Sequence, residues 1–118
     1  MDLILHITTR SRWEQARAAG SYRGDTLETQ GFIHGSRPHQ VVAVAEALFR
    51  GRTDLVLLCI DGAKVRAEIR EENLEGGQER YPHIYGPLNL DAVLEVLDFP
   101  PRPDGSFDLP EAVGKWLS

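Results

Sequence analysis

The stretch Leu55-Val56-Leu57-Leu58-Cys59-Ile60 decides how this chain folds, because every position in it is apolar. Asp54 precedes the stretch and Asp61 follows it, so charged residues bound it at both ends. An apolar run of this length, without alternation, predicts a central β-strand that is covered on both faces of its sheet. The other segments must therefore supply a layer on each side of this strand.

The residues after this strand carry the signals of a β-hairpin. Asp61-Gly62 is a tight-turn dipeptide. From residue 65 to residue 70 apolar and charged residues alternate, which predicts a strand with one face in water. We therefore predict that residues 55–60 and 65–70 pair with each other.

Before the central strand, the pattern predicts a strand, a helix and a loop. Leu3 to Thr8 alternates between two faces and is predicted as a strand. Ser11-Arg12-Trp13-Glu14 has the spacing of a capping box, which predicts a helix from about Arg12 to Ala19. Gly20 ends that helix. Residues 21–30 are polar and interrupted by glycine, and we predict a loop.

A second strand and helix are predicted between residues 31 and 51. Gly31 to Ser36 indicates a short strand, and Ser36 is also placed to cap the next helix. Gly51 ends this helix, and its apolar stripe at helical spacing is formed by Val41, Val42, Ala45, Leu48 and Phe49.

The C-terminal half is predicted from weaker patterns. Residues 71–80 are charged and contain Gly76-Gly77, which predicts a mobile loop. Residues 81–87 form an extended segment bracketed by prolines, typical of a sheet edge. We favour a strand over a helix for residues 92–99, and a last helix begins at Asp108-Leu109-Pro110-Glu111. The prediction is one α+β domain spanning residues 1–118, with small mixed or antiparallel sheets and flanking helices.

Composition limits the partners of this chain. Its 118 residues are 42% hydrophobic and 26% charged, and the formal net charge is -5. This charge argues against a broad nucleic-acid surface, which needs clustered cations. Cys59 is the one cysteine, so no intramolecular disulfide can form. No signal peptide or membrane span is indicated, and we expect a cytoplasmic protein of undetermined oligomeric state.

Three of the four histidines lie in short extended segments, and they are the candidates for chemistry. His6, His34 and His83 would line one cleft if their segments are neighbours, together with Ser36 and Tyr85. Such groups donate hydrogen bonds to phosphate or ribose oxygens. Four arginines near the segment ends can add a guanidinium group: Arg10, Arg12, Arg23 and Arg37.

Two other interpretations of the histidines remain open. A strand histidine is often a buried side chain satisfied by a backbone carbonyl. A metal-dependent hydrolase is the second alternative, although His34 and His39 do not have a standard ligand spacing and no Cys-x-x-Cys is present. We expect no metal.

Three segments, taken in order, resemble a small bacterial family known as domain of unknown function 952. They are His6-Ile7-Thr8 followed by a helix with Trp13, then Gly31-Phe32-Ile33-His34-Gly35-Ser36, then Tyr81-Pro82-His83-Ile84-Tyr85-Gly86-Pro87-Leu88. The resemblance implies a fold similar to that of ADP-ribosyltransferases and RNA 2′-phosphotransferases. Those proteins bind NAD or an ADP-ribosylated intermediate in a cleft between two small sheets.

The chain departs from that larger group at one motif position. The resemblance aligns His6 with the first motif position and Ser36, with His34, with the second. The third position usually holds Glu or Gln, but the matching segment here offers His83 and Tyr85. A carboxylate beneath the ribose normally stabilises the positive charge of the transition state, and a protonated histidine has the wrong sign.

The function expected from these observations is a cleft that binds NAD, ADP-ribose or a related nucleotide, with glycosyl- or phosphotransferase-like activity. Its candidate catalytic residues are His6, His34 and His83, and its candidate binding residues are Ser36, Tyr85, Tyr22, Thr8 and Glu79. The alternative is a non-catalytic module of the same fold that recognises a protein or a small metabolite. Glu79 separates the two, because a carboxylate beside His83 favours an enzyme and one in solvent favours a module.

Overall fold

The structure, a computed structural model, describes residues 1–74 and 77–117. In these residues a first antiparallel sheet has the order β1-β4-β8: β1 Leu3–Thr9, β4 Leu55–Asp61 and β8 Val93–Asp98. A second has the order β3-β6-β5: β3 Ile33–His34, β6 Tyr81–Tyr85 and β5 Glu68–Glu72. A small pair joins β2 Ser21–Tyr22 to β7 Leu88–Asn89. The α-helices are α1 Arg10–Ala19, α2 Leu27–Gln30 and α3 Val41–Leu48. This architecture confirms the α+β prediction.

The central position of β4 is confirmed. The strand pairs with β1 on one side and with β8 on the other, and residues 55–60 are buried. Alternate side chains enter two apolar clusters, one on each face of the first sheet. Leu57 packs with Val41 and Phe99 in one cluster, whereas Leu58 packs with Ile84 in the other. Both faces of β4 are covered, as a continuous apolar run requires.

The predicted hairpin between residues 55–60 and 65–70 is wrong. Both edges of β4 are already occupied, and the Asp61 carboxylate accepts from the Ala63 amide at 3.0 Å to start a 3₁₀ turn, Gly62–Lys64. The chain then crosses to the second sheet, where β5 pairs with β6 from Glu68 opposite Tyr85 to Glu72 opposite Tyr81.

The predicted sheet edge at residues 81–87 is also wrong, because β6 is the middle strand of the second sheet. Pro82 is tolerated there because β3 pairs only with His83 and Ile84. Pro82 lies just beyond that short ladder, and its carbonyl accepts from the Gly35 amide at 2.9 Å. Because proline has no amide, it cannot return a hydrogen bond to Gly35, and the ladder with β3 ends at His83.

The helix limits differ from the predictions in ways that the caps explain. The first helix begins at Arg10 rather than Arg12, because Thr9 instead of Ser11 is its N-cap and accepts from the Arg12 amide at 3.1 Å. Gly20 ends it in the left-handed conformation, with φ of 87°, as predicted. Ser36 is not the cap of the second predicted helix; its backbone instead bridges to Leu5, and α3 begins at Val41.

Other segments also differ from the predictions. Residues 21–30 are not a plain loop, since they form β2 and α2. Of the predicted loop at 71–80, Glu71 and Glu72 belong to β5, while Gly76 lies outside the described residues. The predicted strand at 92–99 is confirmed as β8. The last helix is a 3₁₀ segment, Glu111–Trp116. None of the helices in the described part of the chain is both long and apolar enough to cross a membrane.

Candidate functional site

A cleft of about 480 Å³ opens where the two three-stranded sheets meet. The junction is a β-bridge in which the amides and carbonyls of Leu5 and Ser36 bond reciprocally at 2.8 Å. This bridge carries β1 alongside the chain that follows β3, and β3 pairs His34 with His83 of β6. Three of the predicted site residues in the cleft lining, His34, Ser36 and His83, are thereby brought together.

The two walls of the cleft differ in polarity. One wall is apolar and comes from α3 and the residue after it: Ala43, Val44, Ala47, Leu48 and Phe49. The other wall is polar and includes His6, Asp25, Thr26, Gln30, His34, Ser36, Tyr81 and His83. A few polar groups facing an apolar surface are typical of small-molecule sites, where they fix the orientation of the ligand.

His6 is tied into the protein through both ring nitrogens. Nδ1 bonds to the His34 carbonyl oxygen at 2.5 Å, and Nε2 bonds to the Tyr22 hydroxyl at 2.6 Å. A carbonyl oxygen only accepts, so Nδ1 carries the proton and Nε2 accepts from the phenol. Burial lowers the pKa of His6 to about 4. The imidazole is therefore neutral near pH 7, and both of its nitrogens form hydrogen bonds within the protein.

Tyr22 and Thr8 lie behind His6 rather than in the cleft lining. Tyr22 is 2% exposed, and burial raises its pKa to about 12. The Thr8 side chain has a smaller, opposite effect on that pKa. The Thr8 hydroxyl oxygen is buried and has no hydrogen-bond partner among the described residues that meets normal geometry. Thr8 instead lines an adjoining polar pocket, together with Arg12 of α1.

His83 is oriented by a carboxylate, Glu72, that was not among the predicted site residues. Its Nδ1 donates to Glu72 Oε1 at 3.0 Å, and the Tyr85 hydroxyl donates to the same oxygen at 2.5 Å. The hydrogen bonds from Tyr85 and His83 hold the pKa of Glu72 below its usual value. The bond to Glu72 likewise raises the pKa of Tyr85. An ionised Glu72 only accepts, so the proton of His83 resides on Nδ1.

The second nitrogen of His83, Nε2, is the one left for a ligand. No group in residues 1–74 and 77–117 bonds to it, and His83 lines the cleft although it is 3% exposed. Phe32 stacks on the imidazole with ring centroids 4.2 Å apart and planes at 24°. Packing and the carboxylate together fix the ring, and neutral Nε2 can accept a proton.

His34 and Ser36 complete the polar wall. His34 is half-buried, and its Nε2 bonds to Gln30 Oε1 at 2.7 Å. Its ring lies edge-on to His83, with centroids 5.4 Å apart. Ser36 is 6% exposed, and its bridge to Leu5 holds its backbone in place.

Glu79 does not lie beside His83. Its side chain is 56% exposed and contacts His39 Nε2 at 3.4 Å and Gln40 Nε2 at 3.3 Å. Glu72 occupies the place at His83 instead. The sequence did contain a signal for Glu72, the alternation of apolar and charged residues from 65 to 70. If this alternation continues by two positions, residue 72 lies on the same strand face as residues 68 and 70.

The arginines proposed to add guanidinium groups are absent from the cleft lining. Each one pairs with a carboxylate: Arg10 with Asp98, Arg12 with the cleft-lining Asp25, Arg23 with Glu28, and Arg37 with Asp2 and Glu71. Within the described ranges, no group of three or more His, Cys, Asp or Glu side chains is arranged to hold a metal ion. The geometry thus gives no support to the metal-dependent hydrolase.

Comparison with known proteins shows a family and a fold. The family described as "Protein of unknown function (DUF952)" matches residues 7–96. The crystal structure of protein CC0527 from Caulobacter crescentus is 33% identical, with a TM-score of 0.85, over 95% of this chain and 98% of that one. The solution NMR structure of CC0527 is 33% identical, with a TM-score of 0.80, over 100% and 98% of the two chains. A search of curated proteins gave no match.

Proposed function

This chain belongs to the DUF952 family of proteins of unknown function, and from its cleft we propose that it binds a nucleotide-like small molecule of the NAD or ADP-ribose type. The observation that carries the proposal is the two-sided cleft, with the apolar wall of α3 facing a polar wall of imidazole, amide and hydroxyl groups. The resemblance to ADP-ribosyltransferases, which remains a prediction, supplies the chemical class of the ligand.

The size and lining of the cleft support a nucleoside. Its volume of about 480 Å³ lies within the range of small-molecule sites, roughly 300–1,000 Å³. A planar base or nicotinamide ring can pack against the apolar residues of α3. Ribose hydroxyls both donate and accept, and so do the Ser36 hydroxyl and the imidazole of His34. We therefore place the ring and its ribose in the cleft.

The phosphates of such a ligand fit better outside the cleft. Among residues 1–74 and 77–117, no arginine or lysine lines the cleft, and Asp25 contributes a carboxylate. The adjoining polar pocket shares Asp25 and Phe49 with the cleft and is also lined by Arg12 and Arg52. Guanidinium groups bind phosphate well, so this pocket is where the proposal places the diphosphate.

The non-catalytic module remains the second candidate, and two observations favour it. Both ring nitrogens of His6 are already bonded inside the protein, and the half-exposed Glu79 contacts His39 and Gln40 instead of His83. On that interpretation the same cleft recognises a small metabolite or a protein side chain without chemistry. The carboxylate of Glu72 beside His83 is the observation against it.

Calorimetric titration of NAD and of ADP-ribose into the purified protein tests the proposal. We expect both ligands to bind. His34→Ala should weaken binding by about tenfold, since a hydrogen bond of roughly 1–1.5 kcal/mol is lost. His39→Ala is the matched control, because His39 is a histidine with a 71% exposed side chain outside the cleft lining, and it should leave the affinity unchanged.

Two results would contradict the proposal. If neither NAD nor ADP-ribose gives binding heat, the nucleotide-binding proposal is wrong. The non-catalytic module is then the better interpretation. Equal weakening by His34→Ala and His39→Ala would place the ligand elsewhere on the surface.

A further inference from the structure

We propose that His83, oriented by Glu72, is the proton acceptor of the cleft in the transfer of a ribosyl group from NAD to water or to another hydroxyl. This inference rests on the proposed function, because it needs the ribose of NAD beside His83. It goes further by naming a reaction and a catalytic residue.

The partner of His83 decides which ring nitrogen carries the proton. The carboxylate of Glu72 accepts from Nδ1, so the proton of the neutral ring is held at that nitrogen. The lone pair is then on Nε2, to which no group in residues 1–74 and 77–117 is hydrogen-bonded. A proton acceptor needs an available lone pair, and this tautomer places one on Nε2 of a residue that lines the cleft.

His83 and Glu72 are held in position by the second sheet and by the residues packed around them. Glu72 lies on β5 and His83 on the neighbouring strand β6, so both come from the frame of the second sheet. The Tyr85 hydroxyl donates to the same carboxylate oxygen as His83, and Phe32 covers one face of the imidazole. Groups held on paired strands and fixed by a second layer of contacts retain their geometry better than groups on loops.

The combined charge of His83 and Glu72 also suits a proton acceptor next to a positive ribosyl group. A protonated histidine alone would repel the positive ribosyl group that forms as the glycosidic bond breaks. Glu72, with its lowered pKa, is ionised, so a protonated His83 and Glu72 together carry no net charge. The pair can therefore receive a proton without adding net positive charge to the site.

The reaction balances without a further reactant. The water oxygen forms a bond to the ribosyl carbon while the bond from that carbon to the nicotinamide nitrogen breaks. The two electrons of the broken bond stay on the nicotinamide nitrogen, which thereby loses its positive charge. One water proton goes to Nε2 of His83 and then to solvent, and the products are nicotinamide and ADP-ribose. A positioned base of this kind typically contributes about 10²–10⁴-fold in rate.

The test measures nicotinamide release from NAD by the full chain. We expect His83→Gln to lower kcat by about 100-fold or more, and Glu72→Gln to lower it by about tenfold, each with KM changed by less than about threefold. Glu68→Gln is the matched control and should match the wild type. Glu68 is an exposed glutamate of the same strand, bonded to Arg70 rather than to His83.

Because His83 is almost fully buried, replacing it can destabilise the fold and lower kcat for that reason alone. A second measurement therefore uses the wild-type protein. In ¹⁵N NMR spectra of the wild-type protein, Nδ1 of His83 should be protonated and Nε2 unprotonated. In Glu72→Gln the population of this tautomer should fall, whereas in Glu68→Gln it should not. This measurement tests whether Glu72 orients the ring, and an unchanged tautomer in Glu72→Gln would contradict that role.

Each failure points to one claim. NAD that binds but releases no nicotinamide overturns this inference and leaves the proposed function standing. The same holds for a folded His83→Gln protein with wild-type kcat, or for a His83 ring protonated at Nε2. Absence of binding by both NAD and ADP-ribose overturns the proposed function itself.

Discussion

At the scale of single residues, His6 shows that a residue at a motif position can stabilise the fold instead of contacting a ligand. The resemblance placed this histidine at the first motif position, where a ligand contact is expected. Its two nitrogens are bonded to the His34 carbonyl and the Tyr22 hydroxyl instead, and its ring is buried. His6 holds β1 against the segment that carries His34 and so shapes the polar wall indirectly. His83, whose Nε2 has no hydrogen-bond partner in the described part of the chain, is better placed to contact a ligand.

The burial of His6 predicts a pH dependence of folding stability. Its folded-state pKa of about 4 lies below the ordinary value of 6.5, so the unfolded chain takes up the proton first as the pH falls. The stability from neutral His6 is thus present above about pH 6.5 and is lost as the pH falls to 4. A shift of this size corresponds to about 3 kcal/mol between pH 7 and pH 4.

His6→Asn tests this dependence, because Asn keeps a donor for the His34 carbonyl but does not titrate. Urea unfolding at pH 7, 5 and 4 should show a smaller decline for His6→Asn than for the wild type, by about 3 kcal/mol. His39→Asn, which changes an exposed histidine, should follow the wild type. Parallel curves for the wild type and His6→Asn would show that another group controls the acid response.

At the scale of elements, the sequence predicted what local patterns encode. The periodicities of β1, α1, β4 and β8 lie within each segment, and all four elements are present. The pairing of β5 with β6 joins residues from different parts of the chain and was missed, since Asp61-Gly62 suggested a local hairpin instead. The helix that begins at Val41 lacks a capping side chain, which is why its start was misplaced.

The candidate site was predictable to the same extent. His34, Ser36 and His83 were expected to share a cleft, and all three line it. Glu72 was missed for Glu79, because the choice of carboxylate depends on the β5–β6 register. That register is set by the whole second sheet and not by the spacing of Glu79 and His83 along the chain.

Gly35 predicts a sharp response to substitution within the elements that form the cleft. A Cβ added there would lie 2.7 Å from Ile4 Cγ2 and 2.7 Å from the Pro82 carbonyl oxygen, and the backbone atom cannot move aside. We expect Gly35→Ala to cost about 1–3 kcal/mol in unfolding free energy through overpacking. Gly114→Ala, where no atom of the described residues lies within 4 Å of the new Cβ, should be neutral or slightly stabilising. Thermal unfolding of both variants checks this, and equal Tm values would show that the chain at Gly35 adjusts freely.

At the scale of the whole molecule, the cleft depends on how the two three-stranded sheets are held together. His6 belongs to the first sheet, and His83 and Glu72 belong to the second. Besides the bridge from Leu5 to Ser36, an arginine between the sheets joins them. A relative shift of the sheets would separate the walls of the cleft without unfolding either sheet.

Arg37 makes this second connection. Its guanidinium donates to Asp2 at 2.6 Å and to the Leu3 carbonyl at 3.0 Å, at the start of the first sheet, and to Glu71 of β5 at 2.5 Å. Burial opposes its charge, but the hydrogen bonds to Glu71 and Asp2 raise the pKa of Arg37 overall. The side chain is 24% exposed, so solvent screens these contacts only in part.

Replacing Arg37 with Met should therefore loosen the junction. We expect a loss of about 2 kcal/mol in urea unfolding, since several charge-assisted hydrogen bonds disappear at a partly buried site. The matched control is Arg17→Met, whose ion pair with Glu14 is exposed on both sides and should contribute less than about 1 kcal/mol. Amide hydrogen exchange in β5 and β6 should also accelerate in Arg37→Met, because the second sheet loses its tie to the first. If Arg37→Met and Arg17→Met lost the same stability, and exchange in β5 and β6 did not change, the bridge to Ser36 and the shared core would suffice to align the two walls of the cleft.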